Sequence, residues 1–217
     1  MSRTSLFFGE LMIYILENVC SLDGGFLERA MCGMSIQRLE NMSKYSLLSD
    51  RINNCAVYLL LRYGLMREYG IKNKPEFELR KRGKPYLKGT DGIYFNLSHC
   101  KNTAVCIISK SDTAIDVMDI RTVHKGVLKR CCTPEEIDII NSSEFPDREF
   151  TKLWTRKECY SKLDGRGLLL DFSEIDEGLK EMSDIYTEDY GTYILSYYSK
   201  EKVDIIKVET ESLLEII

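Results

Sequence analysis

The sequence predicts a mixed α/β (α+β) fold made of two similar α/β subdomains. Apolar residues recur at helical spacing in residues 52–65, and a second long helix is predicted for residues 148–163. Short segments rich in β-branched residues lie beside each of these helices. Each half of the chain therefore contains one long helix beside several strands. We place the division between residues 1–110 and residues 111–217.

The first half has a strand as its first predicted element and a pair of strands at its end. In chain order, its predicted elements are a strand at residues 11–16, a short polar helix at 35–45, the long helix at 52–65, a loop at 81–92, and strands at 93–98 and 104–109. Gly64 and Gly70 mark the predicted end of the long helix. The Asp91-Gly92 pair is a turn signal at the end of the loop.

The second half is predicted to begin with a strand at residues 114–118. A helix start follows at Thr133-Pro134-Glu135-Glu136, because threonine is a good N-cap, proline suits the first position and glutamate the third. The long helix at 148–163 ends at Gly165. We expect residues 193–198 and 203–208 to form a closing pair of strands around a turn at 199–202.

Composition limits the classes of partner. The chain of 217 residues has 30 basic and 34 acidic residues, and a net charge of −4 disfavours a general nucleic-acid-binding role.

No window is apolar enough for a membrane span. Residues 6–16 come nearest to a signal peptide, but Glu10 interrupts them and no small-residue cleavage site follows, so we interpret them as the start of the fold. The eight cysteines form no CxxC pair and have no partnering histidines at zinc spacing. Because no export signal is recognised, we expect reduced thiols in the cytoplasm rather than a disulfide framework.

The first segment that could carry chemistry is Asn96-Leu97-Ser98-His99-Cys100, at the end of a predicted strand. Taken alone, a histidine after a strand is typical of a surface or capping residue as well as of a catalyst. An enzyme that uses His99 and Cys100 as a pair is disfavoured, because adjacent residues of a strand point to opposite faces.

The second segment is Ile115-Asp116-Val117-Met118-Asp119. Burying a carboxylate is costly unless it is paired or metal-bound, so Asp116 is either a functional residue or an edge-strand residue that faces solvent. Asp116 and Met118 share one face of the strand. Asp119 points away from that face unless the strand bends.

The third segment runs from Trp154 through Glu158 to Lys162 on the second long helix. Glu158 and Lys162 are four residues apart, so their side chains lie on the same side of the helix. They could form either a solvated ion pair or a functional pair. Trp154, one turn earlier, places apolar bulk beside the Glu158 carboxylate.

Together these segments form an ordered pattern. In sequence order the pattern reads Gly83-Lys84-Pro85, Asn96-Leu97-Ser98-His99, Ile115-Asp116-Val117, Trp154-Thr155-Arg156-Lys157-Glu158 to Lys162, and Gly165-Arg166-Gly167-Leu168. In this order and at these intervals, the chain resembles the 4′-phosphopantetheinyl transferases of the surfactin-synthetase-activating type. The match extends over about residues 83–168.

The resemblance implies two related subdomains with coenzyme A and Mg²⁺ in the cleft between them. Such an enzyme moves the phosphopantetheine arm of coenzyme A to a serine of an apo acyl or peptidyl carrier protein, releasing adenosine 3′,5′-bisphosphate. By position, Asp116 and Glu158 are the implied metal ligands, and Glu158 is also the implied base for the serine. Lys162 is implied to contact the phosphates and to assist the leaving group.

The resemblance also assigns residues to coenzyme A itself. They are Lys84, Ser98, His99, Lys162, Arg38 and Lys44. His99 is expected near the 3′-phosphate, which would make affinity weaken as pH rises. Arg38 and Lys44 lie in the region of the family's basic residues, with Arg51 further on, and an ungapped extension of the match also places Asn41 and Asn54 at those points. The basic residues 80–84 form either a solvated loop or a docking site for coenzyme A phosphates or an acidic carrier protein.

One departure from the family pattern concerns the metal. Many members carry a second acidic residue two positions after the aspartate, where this chain has Met118, and a thioether is a poor Mg²⁺ ligand. Water or Asp119 would then fill that position. Met118 leaves open an alternative function, a coenzyme A binding or regulatory module without turnover. The length of the chain fits the two-subdomain, monomeric class of the family.

Overall fold

The computed structural model describes residues 11–166 and 171–217. Within these residues the chain forms nine strands in three sheets, together with eight α-helices. The strands are β1 (Leu11–Glu17), β2 (Phe77–Leu79), β3 (Pro85–Leu87), β4 (Tyr94–His99), β5 (Thr103–Ser109), β6 (Ala114–Asp119), β7 (Ile185–Asp189), β8 (Tyr193–Tyr198) and β9 (Val203–Lys207). The helices are α1 (Gly24–Cys32), α2 (Ile36–Met42), α3 (Leu48–Tyr69), α4 (Lys125–Cys131), α5 (Pro134–Ser142), α6 (Pro146–Asp164), α7 (Phe172–Glu181) and α8 (Thr210–Leu214). The predicted mixed α/β class is confirmed.

The first sheet has the strand order β4-β5-β1-β9, and α3 packs against it. In β1, Met12, Tyr14 and Leu16 belong to the core beneath α3. The residues that alternate with them belong to a second core on the other face of the sheet. Both faces of this sheet are therefore buried, which explains why β1 is a continuous apolar run.

The second sheet has the order β6-β8-β7, and α6 packs on its outer face. Its inner face contributes Ile115, Val117 and Leu195 to the core shared with the first sheet. The two long helices thus enclose two sheets, in the layer order α3, first sheet, second sheet, α6. The side of β6 that carries Asp116 and Met118 faces α6.

The last two strands correct one prediction. We expected residues 193–198 and 203–208 to pair with each other, but β8 pairs with β6 and β7, whereas β9 pairs in parallel with β1. The carboxyl-terminal segment therefore adds a strand to the first sheet. Apolar patterning identifies a strand but carries no information about its partner, which explains the error. The division after residue 110 stays a prediction.

The prediction that Gly64 marks the end of the long helix is wrong, because α3 continues past it to Tyr69. A Cβ atom at Gly64 would lie 2.5 Å from a ring carbon of Tyr14 and 2.5 Å from Cδ1 of Ile108. This glycine lets the helix approach the sheet closely and does not end it. Gly70 is the helix end, as predicted, with a left-handed φ of 67°.

Other local predictions have mixed outcomes. The helix start at Thr133 is confirmed, because Thr133 and Glu136 exchange the two hydrogen bonds of a capping box, at 3.3 and 2.8 Å. The predicted loop at 81–92 contains β3, a short strand paired with β2, so that part of the prediction is wrong. A strand of three residues is too short for alternation to identify it.

All eight cysteines lie in the described residues and are free thiols. This agrees with the expected reduced state of the thiols. Among the described helices, none combines the length and apolar character that crossing a membrane requires.

Candidate active site

The site forms where β4 of the first sheet lies beside β6 of the second. Side chains of β4 supply the bonds that join these strands. Asn96 Oδ1 accepts a hydrogen bond from the Ile115 N–H at 3.2 Å, and Ser98 Oγ accepts one from the Val117 N–H at 3.3 Å. Ser98 Oγ also donates to Asp116 Oδ1 at 2.8 Å. The Asn-x-Ser pattern therefore joins the two sheets and orients the carboxylate.

Asp116 is 7% exposed, so the alternative of a solvent-facing edge residue is wrong. Besides Ser98, its carboxylate accepts a hydrogen bond from Lys162, whose Nζ lies 2.6 Å from Oδ1. Lys162 Nζ also donates to the Ile115 carbonyl at 3.1 Å. The ammonium of Lys162 compensates the buried negative charge. Lys162 is therefore not simply the solvated ion-pair partner of Glu158.

Helix α6 places Trp154, Glu158 and Lys162 on one face at spacings of four residues, and all three line a cavity of about 490 Å³ beside β6. We call it the central cavity. Burial and the negative charge of Asp116 raise the pKa of the Glu158 carboxyl above its ordinary value, and Lys162 opposes this shift. The central cavity is also lined by Ser98, His99, Asp116, Met118 and Asp119.

His99 lies at the end of β4, with an exposed side chain. It borders the central cavity and a second cavity of about 630 Å³, the amino-terminal cavity. Desolvation by the surrounding protein, followed by the positive charge of Lys162, lowers the pKa of His99, although much of the ring surface stays accessible. In the ligand-free protein the imidazole is therefore mainly neutral at pH 7.

The amino-terminal cavity brings together both alternatives for the 3′-phosphate contacts. Arg38 and Lys44 line it, and so do Asn41 and Asn54. The Arg38 Nε and Asn54 Oδ1 atoms are buried without a hydrogen-bond partner among the described residues. Buried polar groups are rarely left unpaired, so this cavity suits a ligand with polar atoms.

Lys84 lies elsewhere. Its side chain is 8% exposed, and Nζ donates to Asp112 Oδ1 at 2.6 Å and to the Thr113 carbonyl at 2.9 Å. Lys84 does not line the central or the amino-terminal cavity. Residues 80–83 are exposed, and Arg82 lies 3.7 Å from Asp164 at the end of α6.

The glycine motif at the end of α6 is described only in part. Gly165 has a left-handed φ of 80° and ends the helix as predicted. A Cβ at Gly165 would meet the Lys84 Cβ at 3.5 Å, so the basic loop packs against this turn. Gly167 and Leu168 lie outside the described residues.

Asp119 lies three residues after Asp116 in β6, so the two side chains are on opposite faces of the strand, as predicted. Its Oδ2 accepts from the Lys101 N–H at 2.9 Å, and its Oδ1 accepts from the Cys100 thiol at 3.2 Å. Burial and the Asp119 charge raise the pKa of Cys100 to about 12, so this thiol is a poor nucleophile. Met118 lines the central cavity with its thioether.

The described residues contain no group of three or more side chains suited to a metal ion. Asp116 nevertheless lies close enough to Glu158 for its charge to raise the pKa of the Glu158 carboxyl. Mg²⁺ is commonly held by one or two carboxylates together with substrate phosphates and water. The oxygen donors of this pair therefore fit a Mg²⁺ ion bound with a phosphorylated ligand.

Sequence reasoning missed a third cavity, the apolar cavity, of about 790 Å³ between α4, α6 and α7. It shares Trp154, Glu158 and Lys162 with the central cavity. Its further walls include Val127 and Phe172. No sequence signal identified it, because its walls come from three helices that are separated in the chain.

The fold and site define an α/β protein with an acidic, lysine-containing cleft at the junction of two sheets. Comparison with known proteins shows which family it resembles. Residues 113–211 match the family model of the 4′-phosphopantetheinyl transferase superfamily. This segment contains β6 and α6, which supply Asp116, Glu158 and Lys162. The chain is thus similar to the 4′-phosphopantetheinyl transferases, and the resemblance inferred from the motifs is confirmed.

Individual relatives extend the similarity beyond that segment. The chain is 26% identical over 164 residues to a 4′-phosphopantetheinyl transferase of Bacillus subtilis, which covers 74% of this chain and 73% of the relative. It is 22% identical over 180 residues to the 4′-phosphopantetheinyl transferase Sfp of Bacillus subtilis strain 168, covering 82% and 80%. It is 33% identical over 103 residues to the 4′-phosphopantetheinyl transferase HetI of a Nostoc species, covering 43% of each chain.

Proposed function

We propose that this protein transfers the 4′-phosphopantetheine group of coenzyme A to a serine of an apo acyl or peptidyl carrier protein, with Mg²⁺, and releases adenosine 3′,5′-bisphosphate. The observation that carries the proposal is the central cavity. It combines a carboxylate pair, Asp116 and Glu158, with Lys162, Ser98 and His99. The similarity to named 4′-phosphopantetheinyl transferases supports the same reaction.

In this proposal Glu158 accepts the proton of the attacking serine hydroxyl. Its raised pKa makes it a stronger base than an ordinary carboxylate. Asp116 and Glu158 are the residues that would hold Mg²⁺, which when bound neutralises negative charge on the pyrophosphate. Ser98 keeps the Asp116 carboxylate in its orientation through the bond of 2.8 Å.

Lys162 is proposed to stabilise the negative charge that grows on the departing bisphosphate. A compact ammonium on a flexible stem suits this role, because it can donate to a phosphate oxygen without a fixed planar geometry. Phosphoryl transfer depends mainly on positioning and on charge stabilisation, and this cavity has groups for both.

The amino-terminal cavity is proposed to hold the 3′-phosphate side of coenzyme A. Arg38 and Lys44 supply positive charge there, and His99 lies between this cavity and the central one. The unpaired Arg38 Nε and Asn54 Oδ1 support a polar occupant. Lys84 is bonded to Asp112 and Thr113, so its proposed contact with coenzyme A requires those bonds to break.

A second candidate function is a coenzyme A binding or regulatory module without turnover. Met118 favours it, because a thioether lines the cavity at the point where many family members place a further acid. The two candidates make the same prediction for coenzyme A binding and opposite predictions for transfer.

The test is incubation with coenzyme A, Mg²⁺ and a panel of apo carrier proteins, followed by intact-mass measurement. A carrier protein should gain one phosphopantetheine group, and EDTA or the Glu158→Gln substitution should prevent the gain. Calorimetry with coenzyme A alone is the companion experiment. Coenzyme A binding without a mass gain on any carrier protein would favour the second candidate.

We further propose a cytoplasmic monomer. Eight free cysteines support a reducing compartment. The monomeric state rests on the resemblance to the two-subdomain class of the family. Size-exclusion chromatography with light scattering tests the oligomeric state.

A further inference from the structure

Lys162 contacts the carboxylate that the proposed function assigns to a divalent cation. Its Nζ lies 2.6 Å from Asp116 Oδ1, and the two side chains are 27% and 10% exposed. Ser98 Oγ donates to the same oxygen at 2.8 Å. In the ligand-free protein the negative charge of Asp116 therefore already has a cationic partner within a cavity.

This contact is unfavourable for a metal ion at the same carboxylate. An ammonium and a divalent cation repel each other, and the repulsion is stronger where solvent is partly excluded. Hydrogen bonds from Lys162 and Ser98 also reduce the electron density that Asp116 can offer to a cation. Glu158 and Asp119 contribute negative charge to the same cavity, whereas Lys101 and Arg121 contribute positive charge. A cation in the central cavity is therefore exposed to several charged groups, of which the Asp116–Lys162 pair is one.

We propose that Lys162 is the counter-ion of Asp116 in the ligand-free protein and competes with the divalent cation for that carboxylate. This inference rests on the proposed function, which places the cation at Asp116. When the cation takes the carboxylate, the ammonium becomes available to the phosphates of coenzyme A. The cation and the phosphates then each satisfy one member of the broken ion pair, so breaking it leaves neither charge unpaired.

The proposal predicts that removing the Lys162 charge tightens cation binding, although the residue is assigned to catalysis. The experiment titrates Mn²⁺ into the full chain without coenzyme A, at pH 8 and 0.15 M KCl, and measures free Mn²⁺ by electron paramagnetic resonance. Lys162→Ala and Lys162→Gln should each lower the Mn²⁺ dissociation constant by on the order of tenfold. This is the size expected when one positive charge next to a bound divalent ion is removed. Circular dichroism checks that both variants are folded.

Lys101→Ala is the matched control, because Lys101 lines the same cavity but is exposed and contacts Asp119 through its backbone N–H. Its effect should stay below about twofold, since charges surrounded by solvent are screened. An equal effect of Lys101→Ala and Lys162→Ala would overturn the proposal, because it would indicate a general change of charge. Unchanged or weaker Mn²⁺ binding in both Lys162 variants would also overturn it.

A double-mutant cycle with Asp116→Asn tests the location. The gain from Lys162→Ala should disappear in the Asp116→Asn background, because the two substitutions act on the same contact. A gain of the same size in that background would overturn the proposal. The carrier-protein assay tests the proposed function separately. If the unmodified protein transfers phosphopantetheine but the Lys162 variants bind Mn²⁺ with unchanged affinity, the competition is refuted and the proposed function stands.

Discussion

Replacing Lys157 with methionine tests the buried charge cluster that joins α6 to α5 and α7. The Lys157 side chain is 2% exposed, and its Nζ lies 2.7 Å from both Glu136 Oε2 and Asp176 Oδ1. It also donates to the Cys131 carbonyl at 2.9 Å. Burial alone would lower the pKa of Lys157, but the two carboxylates raise it, so the lysine is charged at neutral pH.

The magnitude follows from what the substitution leaves behind. Methionine keeps most of the apolar stem, so the main effect is the loss of the ammonium from two partly buried carboxylates. Breaking a buried ion pair costs about 3–5 kcal/mol. Glu136 and Asp176 are 21% and 12% exposed, so we take the lower end, about 3 kcal/mol. For a chain of this size, that loss lowers Tm by roughly 6–12 °C.

Thermal unfolding followed by circular dichroism measures the effect, with Lys152→Met as the matched control. Lys152 lies on the same helix, is 34% exposed and pairs with Glu149 at 2.9 Å, so its loss should cost less than about 1 kcal/mol. Adding Glu136→Gln and Asp176→Asn to Lys157→Met should recover part of the stability. If Lys157→Met lowers Tm no more than Lys152→Met does, the cluster does not stabilise the fold as argued.

Three further predictions concern packing, pH and ligand binding. Gly64→Ala should destabilise the protein by about 1–3 kcal/mol in denaturant unfolding, because the new methyl group overlaps Tyr14. Burial works to raise the pKa of Glu17, but hydrogen bonds from Lys207 and Tyr193 outweigh it and lower the pKa. Stability from Glu17 is therefore present above pH 4.5 and lost as the pH falls further, so Glu17→Gln should cost less than about 1 kcal/mol at pH 7 and progressively less below pH 4.5. Coenzyme A binding at pH 7 should take up protons at His99, whose lowered pKa leaves it neutral until a phosphate approaches.

Each of these has a control. Gly126→Ala, on α4 with open space around it, should be neutral or stabilising by up to about 1 kcal/mol, and equal losses at Gly64 and Gly126 would contradict the packing argument. If Glu17→Gln still lowers the free energy of unfolding at pH 3, the loss of the Glu17 charge is not the cause of the destabilisation. Proton uptake is measured by calorimetry in buffers of different ionisation enthalpy, and uptake that survives in His99→Gln would assign it to another group.

The elements that could be predicted are those whose signal is local. The apolar alternation of β1 and the capping box at Thr133 are complete within a few residues. The pairing of β9 with β1 could not be predicted, because the two strands lie at opposite ends of the sequence and neither one specifies its neighbour. Gly64 was misjudged for a related reason, since its closeness to Tyr14 and Ile108 exists only after the helix has packed.

The candidate site was predictable where residue type restricts chemistry. Asp116, Glu158 and Lys162 were found because an acid in an apolar strand and a charged pair on a helix both call for an explanation, and the family resemblance supplied one. The ion pair of Lys162 with Asp116 could not be predicted, because it depends on how α6 packs against β6. The bonds of Lys84 to Asp112 and Thr113 were hidden for the same reason.

The pairing of β9 with β1 also bears on the order in which the protein is made. During synthesis β1 emerges before β5, and β5 can pair with it before the later segments have been made. The other edge of β1 keeps its unpaired backbone groups until β9 emerges, and such an edge is prone to pair with foreign strands. A fragment that ends at residue 110 would keep that open edge and would also expose the apolar face that β6 and β8 cover. The nascent chain therefore completes its first sheet only when β9 has been translated.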